Sequence, residues 1–193
     1  MENAMKSMIS ENEMRETLRR HGAFKSAVLE VAAMPFRREF RDACKANSCG
    51  KYGKCWTCPP NVGDIDELIA RAKGYERCLL FQTVSDIEDS FDIEGMLEAG
   101  ARHNRITREI KAELMPRLPA DSLLLSAGGC RMCERCAKED DQPCRYPGEA
   151  LASLEAYGIP VSEAAAMGGM KYINGPNTVT YFSAIFYNGG ERA

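Results

Sequence analysis

The chain has 193 residues, 45% of them hydrophobic and 27% charged, with 25 Lys and Arg against 28 Asp and Glu for a formal net charge of −3. That composition excludes a disordered or fibrous chain, and the even scatter of both charge signs argues against a nucleic-acid partner. No run approaches the roughly eighteen apolar residues that span a bilayer, and MENAMKSMISENEMRETLRR at the start lacks an apolar stretch of signal-peptide length, so the expectation is a soluble, cytoplasmic protein with no membrane partner. Length alone favours one domain over 1–193.

In chain order, Ser10 and Glu13 form a capping-box pattern ahead of Met14 and Leu18, which share one helical face, and Gly22 is a natural stop, so a helix is predicted there. Residues 24–31 are rich in Val, Leu and Phe and read as a strand. A basic stretch follows, FRREFRDACK, with Arg37, Arg38, Arg41 and Lys45. Asp64 caps a short predicted helix carrying Ile65, Leu68, Ile69 and Ala72, with Gly74 at its end. Residues 78–84, CLLFQTV, form a continuous apolar run of strand length, predicted to be covered on both faces with Cys78 in the core.

Asp92 opens a long helical pattern through Ile93, Met96, Leu97, Ile106, Ile110 and Leu114, ended by Pro116 and Pro119. SLLLSAGG at 122–129 is a second short buried strand, and its C-terminal end is a favoured place for a site in an α/β sheet. Pro147 suits the first turn of a helix containing Leu151 and Leu154, capped by Gly158, with an extended piece at 159–161. VTYFSAIFY at 179–187 is the last predicted strand. The expectation is an α/β fold: a mixed sheet of four to five strands, flanking helices, and two cysteine-rich metal-binding loops at about 44–60 and 128–147.

Nine cysteines are far more than packing requires, and all but Cys78 fall into two groups. In a reducing cytosol such groups act as ligands or redox centres and not as structural disulfides. The second group, Cys130, Cys133 and Cys136 at strict intervals followed after seven residues by Cys144, is the pattern by which a short loop wraps thiolates around a [4Fe–4S] cluster. Gly128 and Gly129 before it relieve crowding, and Arg131, Arg135 and Arg145 are candidates to offset anionic charge. The first group is Cys44, Cys49, Cys55 and Cys58, closed by Pro59 and Pro60, with Trp56 as shield or plug. Its spacing is less specific. Zinc held by four thiolates is the alternative for either group, and ligands shared between the groups are a third arrangement. His21 and His103 are expected at the surface, Met132, Met167 and Met170 in the core, and Glu134, Glu139, Asp140 and Asp141 on a solvated loop face. No Walker loop or dinucleotide fingerprint occurs.

The motifs CxxxxCxxxxxCxxCPP at 44–60 and GGCxxCxxCxxxxxxxCRYP at 128–147, followed by AYGIPV at 156–161, resemble Domain of Unknown Function family 2284, predicted metal-binding proteins found mainly in anaerobic bacteria and archaea. The resemblance spans most of the chain and implies metal ligands at Cys44, Cys49, Cys55, Cys58, Cys130, Cys133, Cys136 and Cys144. It supplies no reaction. The leading expectation is therefore a protein binding one or two iron–sulfur clusters that passes electrons, or senses redox state, with a redox protein partner. The alternatives are a cluster-dependent enzyme acting on a small anion drawn by the basic stretch, and a zinc-stabilised binding module. Neither a catalytic residue nor an oligomeric state follows from these residues.

Overall fold

The computed structural model describes residues 9–189, so the part of the signal-peptide argument that rests on 1–8 lies outside them. Its centre is a sheet of four strands: β1 (Lys25–Glu30), β2 (Arg77–Asp86), β3 (Leu123–Leu125) and β4 (Thr178–Tyr187), ordered β1-β2-β4-β3. The α/β class and the four strands agree with expectation. Their pairing does not: β1 with β2, β2 with β4 and β3 with β4 are all antiparallel. The alternation of strands with helices suggests a mixed sheet, and the double-sided burial of CLLFQTV is a habit of parallel sheets. Here β2 is buried on both faces because helices cover both sides of an antiparallel sheet.

One cover consists of α1 (Glu11–Arg20) and α4 (Ile93–Leu114). Met14 and Leu18 of α1 and Ile106, Ile110 and Leu114 of α4 pack on Leu79, Phe81, Leu124 and Ile185. The Ser10 capping box is formed, its hydroxyl accepting from the Glu13 N–H while Glu13 reaches back to the Ser10 N–H. Asp92 caps α4 through Gly95 N–H at 2.8 Å. The first turns of α4 depart from expectation, with Ile93 69% and Leu97 49% exposed; the buried face runs instead through Ala99, Gly100, His103, Ile106 and Ile110.

The opposite cover consists of α3 (Ile65–Lys73), capped by Asp64 as expected, and α5 (Val161–Met167). Leu68, Ala72, Ala164 and Ala165 meet Cys78, Leu80, Ala184 and Phe186 there. A short α2 (Phe40–Lys45) lies in the basic stretch. The helix expected after Pro147 does not form. Residues 147–154 are turns and extended chain, with Ser126 and Ser153 in a parallel bridge, and only Glu155–Tyr157 makes a single 3-10 turn. Gly158 ends that turn as expected, at φ 70°, where an added Cβ would lie 2.8 Å from the Arg37 carbonyl oxygen. Pro160 then starts α5 where extended chain was expected, because Ser162-Glu163-Ala164-Ala165-Ala166 has strong helix formers and an acidic first turn.

Candidate metal centre

Cys44 sits near the end of α2, and the chain from 46 to 64 then folds as successive turns without regular structure. The loop closes on itself: Tyr52 N–H donates to Asn47 Oδ1 at 3.0 Å, Gly53 N–H to Pro59 O at 2.8 Å, and Asn61 Nδ2 to Cys55 O at 3.2 Å. Gly53 holds φ 72°, a left-handed conformation that costs glycine little. The Pro59–Pro60 peptide is cis.

The second cysteine segment leaves the end of β3. Ser126 N–H donates to Ala152 O and Leu154 N–H to Ser126 O, so the chain beyond the cysteines returns to brace its starting point. Cys136 precedes a 3-10 turn, Ala137–Asp140, and Arg145 Nη1 donates to Arg135 O at 2.9 Å.

The two segments, more than seventy residues apart in sequence, are bound to each other. Cys130 N–H donates to Thr57 Oγ1 at 3.3 Å, Trp56 Nε1 donates to Gln142 O at 2.9 Å, and the Lys138 ammonium lies 4.9 Å over the Trp56 ring. Gly129 is needed where they touch, since an added Cβ would sit 3.2 Å from Cys58 Sγ. Cys130, Cys133, Cys136 and Cys144 line one half-enclosed cleft, and Cys55 of the first group lines it with them. Met132, Trp56 and Tyr146 give that cleft a largely apolar wall. Among the described residues no three or more Cys, His, Asp or Glu side chains are gathered in the arrangement that holds a single metal ion. All nine cysteines are free thiols.

Electrostatics tie the thiols together. Cys55 is pulled down to about 5, chiefly because the Cys58 thiol donates to it, against burial and with help from Thr57 and the Cys130 N–H. Cys58 is pushed far up by the same hydrogen bond, by burial, and by the neighbouring Cys55, Cys49 and Cys44. Burial raises Cys44, opposed by Arg41 and reinforced by Cys49 and Glu155. Burial also raises Cys130, opposed by the Met132 N–H and reinforced by Cys55, Cys144 and Cys133. Cys55 therefore belongs electrostatically to both groups.

The donor set suits a thiolate-ligated centre. Arg41 Nη2 is buried without a hydrogen-bond partner beside Cys44, and an orphaned guanidinium donor costs free energy unless an anion meets it. Thiolates are soft ligands that select iron–sulfur clusters, zinc or Cu(I). Histidine does not contribute: His21 pairs with Glu113 at 2.8 Å, and His103 is fully buried. The surface position expected for His103 is thus corrected, since the helix period places it on the same face as Ala99, Ile106 and Ile110. The other basic residues expected to attract an anion are already paired: Arg37 with Glu163, Arg38 with Asp66 and Lys45 with Asp42. Arg135 is likewise held by Asp140 and Glu139. Met170 is buried as expected, whereas Met167 is exposed.

A buried polar chain reaches the neighbourhood of the second cysteine segment. His103 Nδ1 bonds Thr83 Oγ1 at 2.9 Å and its Nε2 bonds Ser183 Oγ at 2.8 Å; Ser183 joins Ser126 at 3.2 Å, and Ser126 donates to Asn104 Oδ1 at 3.1 Å. This buried chain ends beside the second cysteine segment. The spacing of His103 and Thr107 along the apolar face of α4 was the signal available for it.

No helix among the described residues is long and apolar enough to cross a membrane. Neither a curated protein nor a solved structure matches the chain. The model of a family described as predicted metal-binding protein, DUF2284, matches residues 27–187, which takes in the sheet, both cysteine segments and the helices between them. The chain belongs to the DUF2284 family of predicted metal-binding proteins.

Proposed function

We propose that the protein binds an iron–sulfur cluster of the [4Fe–4S] type through Cys130, Cys133, Cys136 and Cys144, with a second thiolate site formed by Cys44, Cys49, Cys55 and Cys58, and that it passes electrons or senses redox state with a protein partner. The observation that carries this reading is the cleft in which the four thiols of the second group face one largely apolar space. Three thiols at strict three-residue intervals on a loop without regular structure suit a cluster better than the paired knuckles of a zinc ribbon.

Such a cluster supplies one-electron chemistry when bound. The protein's own residues prepare for it in three ways. Trp56, Met132 and Tyr146 line the thiols with apolar surface, backbone N–H groups at Cys130 and Met132 stabilise sulfur charge, and the Arg41 guanidinium lies near Cys44. Because Cys44, Cys58 and Cys130 hold their protons above the ordinary thiol range, loading the centre releases protons and tightens as pH rises. Cys55, shared electrostatically between the groups, favours close coupling of the two sites.

The test is EPR of anaerobically purified or reconstituted protein before and after dithionite. A signal that appears on reduction and is lost in Cys133→Ser supports the reading. Silence in both oxidation states, with zinc bound, would return the protein to a zinc-stabilised module.

A further inference from the structure

A second cleft, of about 630 Å³ with its solvent mouth included, is lined by Gly128 and Arg131 at the start of the second cysteine segment. It is bounded by α4, by β4 and by the chain on either side of the second cysteine segment. Its charged groups are Arg131 and Glu155. Arg131 lies between Cys130 and Met132 and, unlike Arg135, makes no ion pair among the described residues; the charge it presents is felt by the Tyr181 hydroxyl. Glu155 also lines the cleft and is near enough to influence Cys44. The cleft thus borders the second cysteine segment through Gly128 and Arg131 and is linked to the first only through the charge of Glu155.

Its neutral polar groups are oriented by the fold. Asn104 is fixed by the buried chain from His103 through Ser183 and Ser126: its Oδ1 accepts from Ser126 Oγ, which leaves its NH₂ as the group presented to the cleft. Thr180 Oγ1 accepts from Asn174 Nδ2 at 2.9 Å, which leaves its O–H to donate. The cleft therefore offers three kinds of donor, a guanidinium, an amide and a hydroxyl. The remaining wall is aromatic: Tyr172, half-exposed, stacks on Phe182 with centroids 5.7 Å apart and 10° between planes.

We propose that this cleft binds a small monocarboxylate with an apolar or aromatic body. The carboxylate pairs with Arg131 and accepts from Asn104 and Thr180, and the body lies against Tyr172. A planar carboxylate matches the guanidinium fork. Among the described residues Arg131 is the one cationic residue lining the cleft, which matches a single negative charge better than the two of a phosphate monoester, and a neutral molecule leaves the donors without an anion. Apolar walls with a few convergent polar groups are the usual make-up of small-molecule sites. Because Arg131 of its lining stands between Cys130 and Met132, occupancy of the cleft is placed to alter the second cysteine segment. The binding claim itself does not depend on which metal that centre holds.

Benzoate is the probe, with benzyl alcohol and phenyl phosphate as its neutral and dianionic counterparts, titrated against the metal-loaded full chain by ligand-observed NMR with metal content recorded for every sample. Saturable benzoate binding is expected, at least tenfold tighter than either counterpart, and weakened tenfold or more by Arg131→Gln. Arg131 adjoins two cysteines, so Tyr172→Ala, remote in sequence from both segments, is the companion variant: it should weaken benzoate several-fold while metal content stays unchanged. Absence of saturable binding, or benzoate binding indifferent to both variants, overturns the proposal. Zinc in place of iron in the same samples would count against the iron–sulfur reading alone.

Discussion

Cys133 and Cys78 are the same residue type with opposite roles. Cys133 lines the thiol cleft, whereas Cys78 lies wholly within the sheet core, its thiol pushed up by burial. Cys133→Ser is expected to lose metal and loosen its segment, because metal-binding free energy is partly folding free energy. Cys78→Ala should keep full metal content and lose about 1–2 kcal/mol of stability by chemical denaturation, through packing alone. This division was legible in the sequence, since Cys78 stands in an apolar run and the other eight stand among glycines, prolines and charges. His103 was not read correctly, although its helical spacing marks the core. Burial lowers it to about 4, below the 6.5 or so of the unfolded chain. The unfolded state therefore takes up a proton first as pH falls. The stabilising contribution is full above about pH 6.5 and declines toward pH 4, by on the order of 3 kcal/mol in total. Denaturant midpoints of the parent and His103→Gln across that window check it: the parent should lose more stability than the variant on acidification.

Capped elements were the most legible. Ser10, Asp64 and Asp92 each start the helix their sequence context announces, because a cap is a local hydrogen bond between a side chain and the backbone two or three residues on. Where tertiary contacts decide, sequence patterns misled. Residues 147–154 carry a helix-start proline and spaced leucines, yet 147–149 form a turn and Ser153 is held in a bridge with Ser126. α5 was missed because Ile159 to Val161 reads as the start of a strand. Gly158 joins the two outcomes, ending the 3-10 turn at positive φ with no room for a side chain against Arg37 O and Ile69. Gly158→Ala should therefore cost roughly 2–4 kcal/mol, from left-handed strain and crowding together. A thermal or denaturant midpoint unchanged by that substitution would show the turn to be more yielding than its contacts imply.

For the whole molecule, the alternation of strands and helices correctly indicated an α/β fold, while strand direction was hidden. An apolar run reads alike whether the sheet covered on both faces is parallel or antiparallel. The juxtaposition of the two cysteine segments was also beyond sequence reading, since Thr57 meets Cys130, and Cys58 packs on Gly129, only through the folded sheet and the loops it carries. That juxtaposition predicts coupling between the groups. Cys55→Ser, which alters a thiol lining the second group's cleft, should reduce metal content at both groups, whereas Cys49→Ser, at an exposed position of the first group, should leave the second group's metal in place. Metal analysis of the two variants side by side distinguishes a joined centre from two independent ones.

The central claim, that these thiols hold an iron–sulfur cluster, is tested most directly by the iron, zinc and acid-labile sulfide content of protein purified without oxygen. The account predicts iron and sulfide in equal amounts, about four or eight of each per chain. Stoichiometric zinc with neither iron nor sulfide would contradict it.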